Sequence, residues 1–135
     1  EVIYLDAEEH KYVEEVGAAN FFCLKDGVLY TPELTGTILP GITRDSIIRL
    51  ARHMGHEVIE KKVEAEFAMQ ADEAFCCGTA AVISPIGSIT LKDKTATYGD
   101  GVTPGKVTQK LYDALTNIHN EMSEDLFGWV HPVIE

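Results

Sequence analysis

Apolar and polar positions alternate along the first part of the chain, as they do in half-buried β-strands. The alternation predicts four strands, at EVIYLD (1–6), YVEEV (12–16), NFFCLK (20–25) and VLYT (28–31). The last two are separated by Asp26-Gly27, a dipeptide typical of two-residue hairpin turns, and Pro32 ends the returning strand. The centre of the opening strand is apolar, and we expect this strand to be buried.

The period of the pattern becomes helical after residue 43. One face of this predicted helix carries Ile47, Ile48, Leu50, Ala51 and Met54, and its arginines lie elsewhere, at Arg44, Arg49 and Arg52. Gly55 follows as a C-cap. Pro104 begins a second predicted helix near 104–121, whose apolar side is formed by Val107, Leu111, Ala114, Leu115 and Ile118.

Shorter elements are predicted between the two helices. They are a strand at 57–63, a short helix at 64–70, a strand at 73–79, two strands interrupted by a proline within 80–91, and a turn at Asp93-Lys94. No repeat or low-complexity segment divides the chain. The pattern therefore predicts one α/β domain, with a mixed, strand-rich sheet or pseudo-barrel flanked by helices.

The composition argues against several classes of partner. The chain has 135 residues, 45% of them hydrophobic, and a formal net charge of −11, so its surface repels nucleic acid and anionic membranes. No apolar run approaches the ~20 residues that span a bilayer, and we expect neither a membrane span nor a signal peptide. Cys76 and Cys77 would point to opposite faces of a strand, and Cys23 leaves the count odd, so we expect reduced thiols, no metal site and a cytoplasmic protein.

The segment LPGITRD (39–45) places a glycine just before a predicted helix. Gly41 lets the backbone approach a ligand closely, and Thr43 is placed to cap the helix. The amides of Ile42 and Thr43 would then point outward at a helix N-terminus, where the dipole favours an anion such as phosphate. The alternative is that Thr43 caps its own helix without a ligand, and the segment taken alone favours this alternative.

A second candidate is CCGTAA (76–81), where a predicted strand ends in small residues. The amides of Thr79, Ala80 and Ala81 would be free to bind a phosphate or a carboxylate. The alternative is a tight turn between strands without any ligand, and this segment by itself favours the turn.

The third candidate is Glu15 in the predicted strand YVEEV. Alternation places Val13 and Glu15 on one face, and neither face is cleanly polar, so one glutamate could point toward the interior. A buried carboxylate is costly unless it meets a cation or a strong donor, such as a protonated pyridine nitrogen. Two solvated glutamates in an edge strand are an equally good interpretation of the pattern.

Together these segments resemble the branched-chain amino acid aminotransferases, in the fold-type IV class of pyridoxal-phosphate enzymes. The likeness extends over essentially the whole chain, and its blocks are YVEEVGAANFF (12–22), DGVLYTPELTGTILPGITRDSII (26–48), EAFCCGTAAVISPIGSI (73–89) and FGWV (127–130). It implies the C-terminal domain of the D-amino acid aminotransferase-like fold. It also implies pyridoxal 5'-phosphate as cofactor and transfer of an amino group from leucine, isoleucine or valine to 2-oxoglutarate.

The resemblance implies a role for each candidate residue. Glu15 matches the carboxylate that pairs with the pyridine nitrogen and keeps it protonated. Ala80 and Ala81 match the turn whose amides receive the substrate α-carboxylate. The cofactor phosphate is held in this family by a helix start and a second hydroxyl, which correspond here to Gly41, Ile42, Thr43 and Thr79.

The chain departs from the family in one respect. The family's Schiff-base lysine lies upstream of the VIYLD strand, in a segment of the type K-x-x-x-N-Y, and none of the lysines here has that context. We therefore expect residues 1–135 to be the C-terminal domain of a longer enzyme that is a homodimer. The lysine and an N-terminal partner domain would lie outside the chain, which would be inactive by itself. A D-amino acid aminotransferase, an aminodeoxychorismate lyase and a non-catalytic binding module remain as alternatives.

Overall fold

The computed structural model describes residues 1–131, which form nine strands and three helices. The strands are β1 (Ile3–Leu5), β2 (Val13–Val16), β3 (Ala19–Lys25), β4 (Val28–Pro32), β5 (Glu57–Lys61), β6 (Glu73–Gly78), β7 (Val82–Pro85), β8 (Ser88–Leu91) and β9 (Lys94–Thr97). The helices are α1 (Ile42–His53), α2 (Ala65–Met69) and α3 (Lys106–His119).

Seven of these strands form one mixed sheet, which confirms the predicted fold class. The order is β1-β2-β3-β4-β5, while β6 pairs with β3 and carries β7. β4 and β5 are parallel and the other pairs are antiparallel. β6 pairs along most of β3, so β2 and β4 share the opposite edge of that strand. β8 and β9 form a separate hairpin.

Each face of the sheet is covered by its own hydrophobic layer. Phe22 and Leu24 of β3 pack beneath α1 and α3, whereas Phe21 and Cys23 pack on the other face with α2 and the β8–β9 hairpin. The side chains of β3 alternate between the layers because successive residues of a strand point to opposite faces. Phe22 stacks on Phe75 of β6, with 5.0 Å between the ring centroids.

Burial or position differs from the prediction in β1, in the β8–β9 turn and in the last helix. β1 is an edge strand with a single neighbour, so Tyr4 is 55% exposed and the expected burial of this strand is wrong. The turn predicted at Asp93-Lys94 lies one residue earlier, because Lys94 already pairs with Leu91 as the first residue of β9. The last helix begins at Lys106 rather than Pro104, since Gly105 is its N-cap.

A β-bulge overturns the predicted alternation in β2. Tyr4 pairs with Glu15 but Leu5 pairs with Val13, so Glu14 is an extra residue between the two pairs. Val13 and Val16 are consequently buried in the same layer. Glu15 therefore lies on the opposite face from Val13, and the prediction that they share a face is wrong.

Arg44 was expected to lie away from the apolar face of α1, yet it is only 4% exposed. Its Nη2 donates to the carbonyl oxygen of Pro32 at 3.1 Å and to Oε1 of Glu60 at 2.7 Å. This side chain joins α1 to the ends of β4 and β5. Met54 was placed on the buried face, but it is the C-cap and is 38% exposed.

The three cysteines are free, as predicted. Cys77 packs with the α1–α3 layer and Cys76 with the layer on the other face, because adjacent strand residues point in opposite directions. None of the helices within residues 1–131 is both long enough and apolar enough to cross a bilayer.

Candidate functional site

Strand register brings two of the three candidate segments together. Glu15 of β2 pairs with Asn20 of β3, and Asn20 pairs with Cys77 of β6. Directly opposed residues in antiparallel strands point to the same face, so these three residues form a row across the sheet. Residues 78–81 follow directly after Cys77, with Gly78 as the last residue of β6 and residues 79–81 as a turn. The turn therefore lies at the same end of the sheet as Glu15, with β3 between them.

The third segment is held against this row by two hydrogen bonds to the backbone of Leu39. The Leu39 amide donates to Oε1 of Glu15 at 2.8 Å, and Nδ2 of Asn20 donates to the Leu39 carbonyl oxygen at 2.9 Å. We call this pair of contacts the Leu39 clamp. Two residues later, a Cβ added to Gly41 would collide with Oδ1 of Asn20. The loop can approach β3 this closely only because residue 41 has no side chain.

α1 begins without a side-chain cap. Its N-cap is Gly41, with φ −62° and ψ 141°, and no side chain makes a capping hydrogen bond. The prediction that Thr43 caps the helix is wrong, because the helix begins at Ile42 and Thr43 is already its second residue. Within residues 1–131, the amides of Ile42 and Thr43 donate to no protein acceptor. These amides, together with the helix dipole, favour an anion at this end of α1.

The turn at residues 78–81 is open to solvent. Thr79, Ala80 and Ala81 are all exposed. Their amides have no hydrogen-bond acceptor in the part of the chain that the structure describes. Val82, which follows, has a φ of 57°, an uncommon conformation for a β-branched residue. The turn therefore presents three amides and one hydroxyl to a ligand.

Glu15 is half-buried and uses one of its two carboxylate oxygens inside the protein. Its Oε2 has no donor among residues 1–131 and is free to accept a hydrogen bond from a ligand. Glu15 also lines a cleft of about 600 Å³ together with Tyr4, Ile38 and Lys62. Residues 41–43 and 78–81 do not line this cleft, so it is separate from the candidate site and meets it at Glu15.

The arrangement suits one kind of ligand. The start of α1 and the 78–81 turn offer amides and the hydroxyls of Thr43 and Thr79, which bind phosphate and carboxylate groups. Glu15 offers a carboxylate oxygen to a protonated nitrogen. A small molecule with an anionic group at one end and a basic nitrogen at the other matches this set of donors and acceptors.

Sequence reasoning missed two residues of the candidate site, Asn20 and Leu39. Asn20 is 6% exposed and Leu39 contributes only its backbone to the clamp. Asn20 did leave a signal, since asparagine is uncommon in strands and this one begins an otherwise apolar run. The part played by Leu39 depends on the path of its backbone, which no residue type indicates.

The comparison with known proteins matches the part of the chain that contains the three candidate segments. Residues 1–89 match the family described as amino-transferase class IV. The chain is 48% identical over 129 residues to Arabidopsis thaliana branched-chain-amino-acid aminotransferase 3, chloroplastic, covering 96% of this chain and 31% of the relative. The chain therefore spans about a third of the length of this curated relative.

Solved structures agree with the sequence comparison. The branched-chain amino acid aminotransferase of Escherichia coli superposes with a TM-score of 0.83 at 40% identity, covering 96% of this chain and 41% of that one. A branched-chain amino acid aminotransferase from T.th. superposes with a TM-score of 0.84 at 34% identity, covering 96% and 41%. The latter was solved as a complex with N-(5'-phosphopyridoxyl)-L-glutamate.

Proposed function

The chain belongs to the amino-transferase class IV family, and from this premise we propose that it is the C-terminal, cofactor-binding domain of a pyridoxal-phosphate-dependent branched-chain amino acid aminotransferase. The full-length enzyme would transfer the amino group of leucine, isoleucine or valine to 2-oxoglutarate. The observation that carries the proposal is the row Glu15, Asn20 and Cys77 together with the Leu39 clamp, which bring the three candidate segments to one end of the sheet.

Each side of the candidate site has a distinct task in this proposal. Gly41, Ile42 and Thr43 bind the cofactor phosphate with two amides and a hydroxyl, and Thr79 adds a second hydroxyl. Ala80 and Ala81 direct their amides to the α-carboxylate of the amino acid. The exposure of the 78–81 turn supports this division, because a substrate group must enter and leave while the cofactor stays.

Glu15 sets the charge of the bound ring. When bound, pyridoxal phosphate supplies the electron sink for the bonds broken at the Cα of the amino acid. Oε2 of Glu15 accepts the hydrogen bond of the pyridine nitrogen and stabilises its protonated form. Oε1 meanwhile stays on the Leu39 amide, so the carboxylate is already oriented before any ligand arrives.

The lysine that binds the cofactor covalently would lie in the part of the enzyme that this chain does not span. We propose that this part also supplies an N-terminal domain that closes the site, and that the whole enzyme is a cytoplasmic homodimer. The 135-residue chain alone should then fold but lack transaminase activity. Incubation with pyridoxal phosphate followed by borohydride reduction checks this, since stoichiometric labelling of one lysine together with turnover of leucine would contradict it.

Substrate class is decided by an assay of the full-length enzyme. With 2-oxoglutarate as acceptor, we expect turnover of L-leucine, L-isoleucine and L-valine and none of D-alanine. The relative solved with a phosphopyridoxyl-glutamate adduct supports glutamate and 2-oxoglutarate as the second substrate pair. Activity on D-alanine alone would identify a D-amino acid aminotransferase instead. Failure to bind pyridoxal phosphate at all would favour a non-catalytic binding module.

A further inference from the structure

Asn20 is the residue through which the three segments of the candidate site are connected. Its backbone pairs with Glu15 on one side and with Cys77 on the other. Its side chain donates to the carbonyl oxygen of Leu39 and lies against Gly41. Asn20 is 6% exposed, so its amide group is almost fully withdrawn from water. A buried amide of this kind is stabilising only where its hydrogen bonds are made.

The contact with Gly41 gives the side chain a directional effect. Because a Cβ at residue 41 would meet Oδ1 of Asn20, the two positions fix the distance between β3 and the loop that leads into α1. The amide of Leu39 in the same loop also donates a hydrogen bond to Glu15. Removal of Asn20 would leave Leu39 with one hydrogen bond to the sheet, from its amide to Glu15. The first turn of α1, with the amides of Ile42 and Thr43, would then be held less firmly against β3.

We propose that Asn20 is a positioning residue for the phosphate group of the cofactor, acting through Leu39 and Gly41 and touching neither cofactor nor substrate. This inference rests on the proposed function, since it assigns the phosphate to the start of α1. It predicts that loss of Asn20 weakens phosphate binding specifically. A residue with a purely structural role would lower stability without distinguishing a ligand with phosphate from one without.

The test uses the apo form of the full-length enzyme and two probes, pyridoxal 5'-phosphate and pyridoxal, which lacks the phosphate. For Asn20→Ala we expect the Kd of pyridoxal 5'-phosphate to rise about tenfold or more, the loss typical of one buried hydrogen bond to a site group. The Kd of pyridoxal should change less than about twofold. Asn117→Ala, at an exposed position of α3, is the matched control and should leave both constants unchanged.

A double-mutant cycle with Gly41→Ala keeps the test independent of folding losses. In the wild-type background Gly41→Ala should weaken pyridoxal 5'-phosphate at least as much as Asn20→Ala does, because the new Cβ displaces the Asn20 amide. In the Asn20→Ala background the same methyl group occupies vacated space, so the double variant should bind no more weakly than Asn20→Ala alone. Such non-additivity is expected of residues in contact.

The outcomes separate this inference from the function on which it rests. If the wild-type enzyme binds pyridoxal 5'-phosphate and the two variants add independently, or if Asn20→Ala weakens both probes equally, the positioning role of Asn20 is wrong while the function stands. If the wild-type enzyme binds neither probe, the proposed function itself fails. A urea titration of each apo variant shows whether a lost affinity merely follows a lost fold.

Discussion

The two long helices begin in the same way and differ in what occupies their first amides. Gly41 caps α1 and Gly105 caps α3, both in extended conformation and both without a capping side chain of their own. At α3, the carboxylate of Glu73 on β6 accepts hydrogen bonds from the amides of Val107 and Thr108 at 3.2 and 2.9 Å. At α1, the corresponding amides have no acceptor within residues 1–131.

The difference separates a structural helix start from one available to a ligand. The α3 start already holds an anion supplied by the protein, and a Cβ on Gly105 would collide with Glu73 just as a Cβ on Gly41 would collide with Asn20. At the start of α1 the neighbouring side chain is the neutral amide of Asn20, which contacts Leu39 and Gly41 and accepts nothing from the amides of Ile42 and Thr43. These amides therefore stay open to an anion. Both glycines allow close approach, to a carboxylate in one helix and to a positioning amide in the other.

The largest expected effect is on turnover, and it concerns the candidate site beside the start of α1. Glu15→Gln in the full-length enzyme should reduce kcat by about 10²–10³-fold, since a neutral amide cannot stabilise the protonated pyridine nitrogen. Folding should be little changed, because the glutamine carbonyl oxygen can still accept the Leu39 amide. Steady-state kinetics with L-leucine and a thermal melt measure the two effects separately. Near-normal turnover would remove Glu15 from the site.

At the start of α3, where Glu73 accepts the first amides, we expect an effect on stability and not on cofactor binding. Glu73→Ala should lower the free energy of unfolding by about 1–3 kcal/mol, because it leaves two amides of α3 and the buried hydroxyl of Thr108 without an acceptor. Cofactor affinity should stay within about twofold of wild type. Urea unfolding, with the exposed Glu66→Ala as control, tests this. A loss of cofactor binding without a loss of stability would mean that the two helix starts have been assigned the wrong way round.

A smaller effect is expected from the hydroxyl of Thr43 at the start of α1. Thr43 makes no capping hydrogen bond, so Thr43→Val should leave the stability of the apo enzyme unchanged. The Kd of pyridoxal 5'-phosphate should rise about tenfold, as expected for one hydrogen bond to a charged group. Fluorescence titration of the apo enzyme measures this constant. If Thr43→Val alters stability and leaves affinity unchanged, the hydroxyl has an internal role that the structure does not indicate.

The smallest expected effect extends the comparison to a third carboxylate that binds amides. Asp6 accepts hydrogen bonds from the amides of Glu9, Lys11 and Tyr12, chiefly Tyr12, and they lower its pKa from 3.8 to about 2. A lowered pKa stabilises the fold above the unfolded value of 3.8, and this stabilisation is lost as the pH falls from about 4 to 2.

Asp6→Asn should therefore lower the melting temperature slightly at pH 7, by less than Glu73→Ala, because Asp6 lies in a surface turn where solvent screens its charge. The gap between variant and wild type should close as the pH approaches 2. Melting curves between pH 2 and 7 provide the measurement. A gap that stays constant across this range would mean that the charge of Asp6 contributes nothing.

Most elements of the fold follow from periodicity, and the failures have local causes. The hairpin at Asp26-Gly27 and the apolar face of α3 at Leu111, Leu115 and Ile118 are where the pattern places them. The bulge at Glu14 could not be predicted, because an unpaired residue leaves no mark on hydrophobicity. Burial of Arg44 depends on Pro32 and Glu60, which are distant in sequence and supply its partners only in the folded chain.

The candidate site was predictable in its parts and not in its connections. Motifs and family resemblance selected Glu15, the start of α1 and the 78–81 turn as candidates. The cap was misassigned because threonine is a common N-cap, whereas the approach of Asn20 to Gly41 is a tertiary contact that places the cap on the glycine. Strand register joins Glu15 to the 78–81 turn, and the side chain of Asn20 joins both to the loop before α1; neither connection is visible in one sequence, because both depend on long-range pairing.

The placement of the cysteines allows the opening rates of the two hydrophobic layers to be measured separately. Burial raises the pKa of Cys77 beneath α1 and α3, and of Cys23 on the other face, to about 12 in each case, so neither thiol forms much thiolate at neutral pH while its layer is closed. Modification of each thiol must then wait until its layer opens. Mass spectrometry of the labelled peptides would record two separate opening rates. The rate at Cys77 reports on the layer that contains α1 and thus on the rigidity of the proposed phosphate site, whereas the rate at Cys23 reports on the layer on the other face of the sheet.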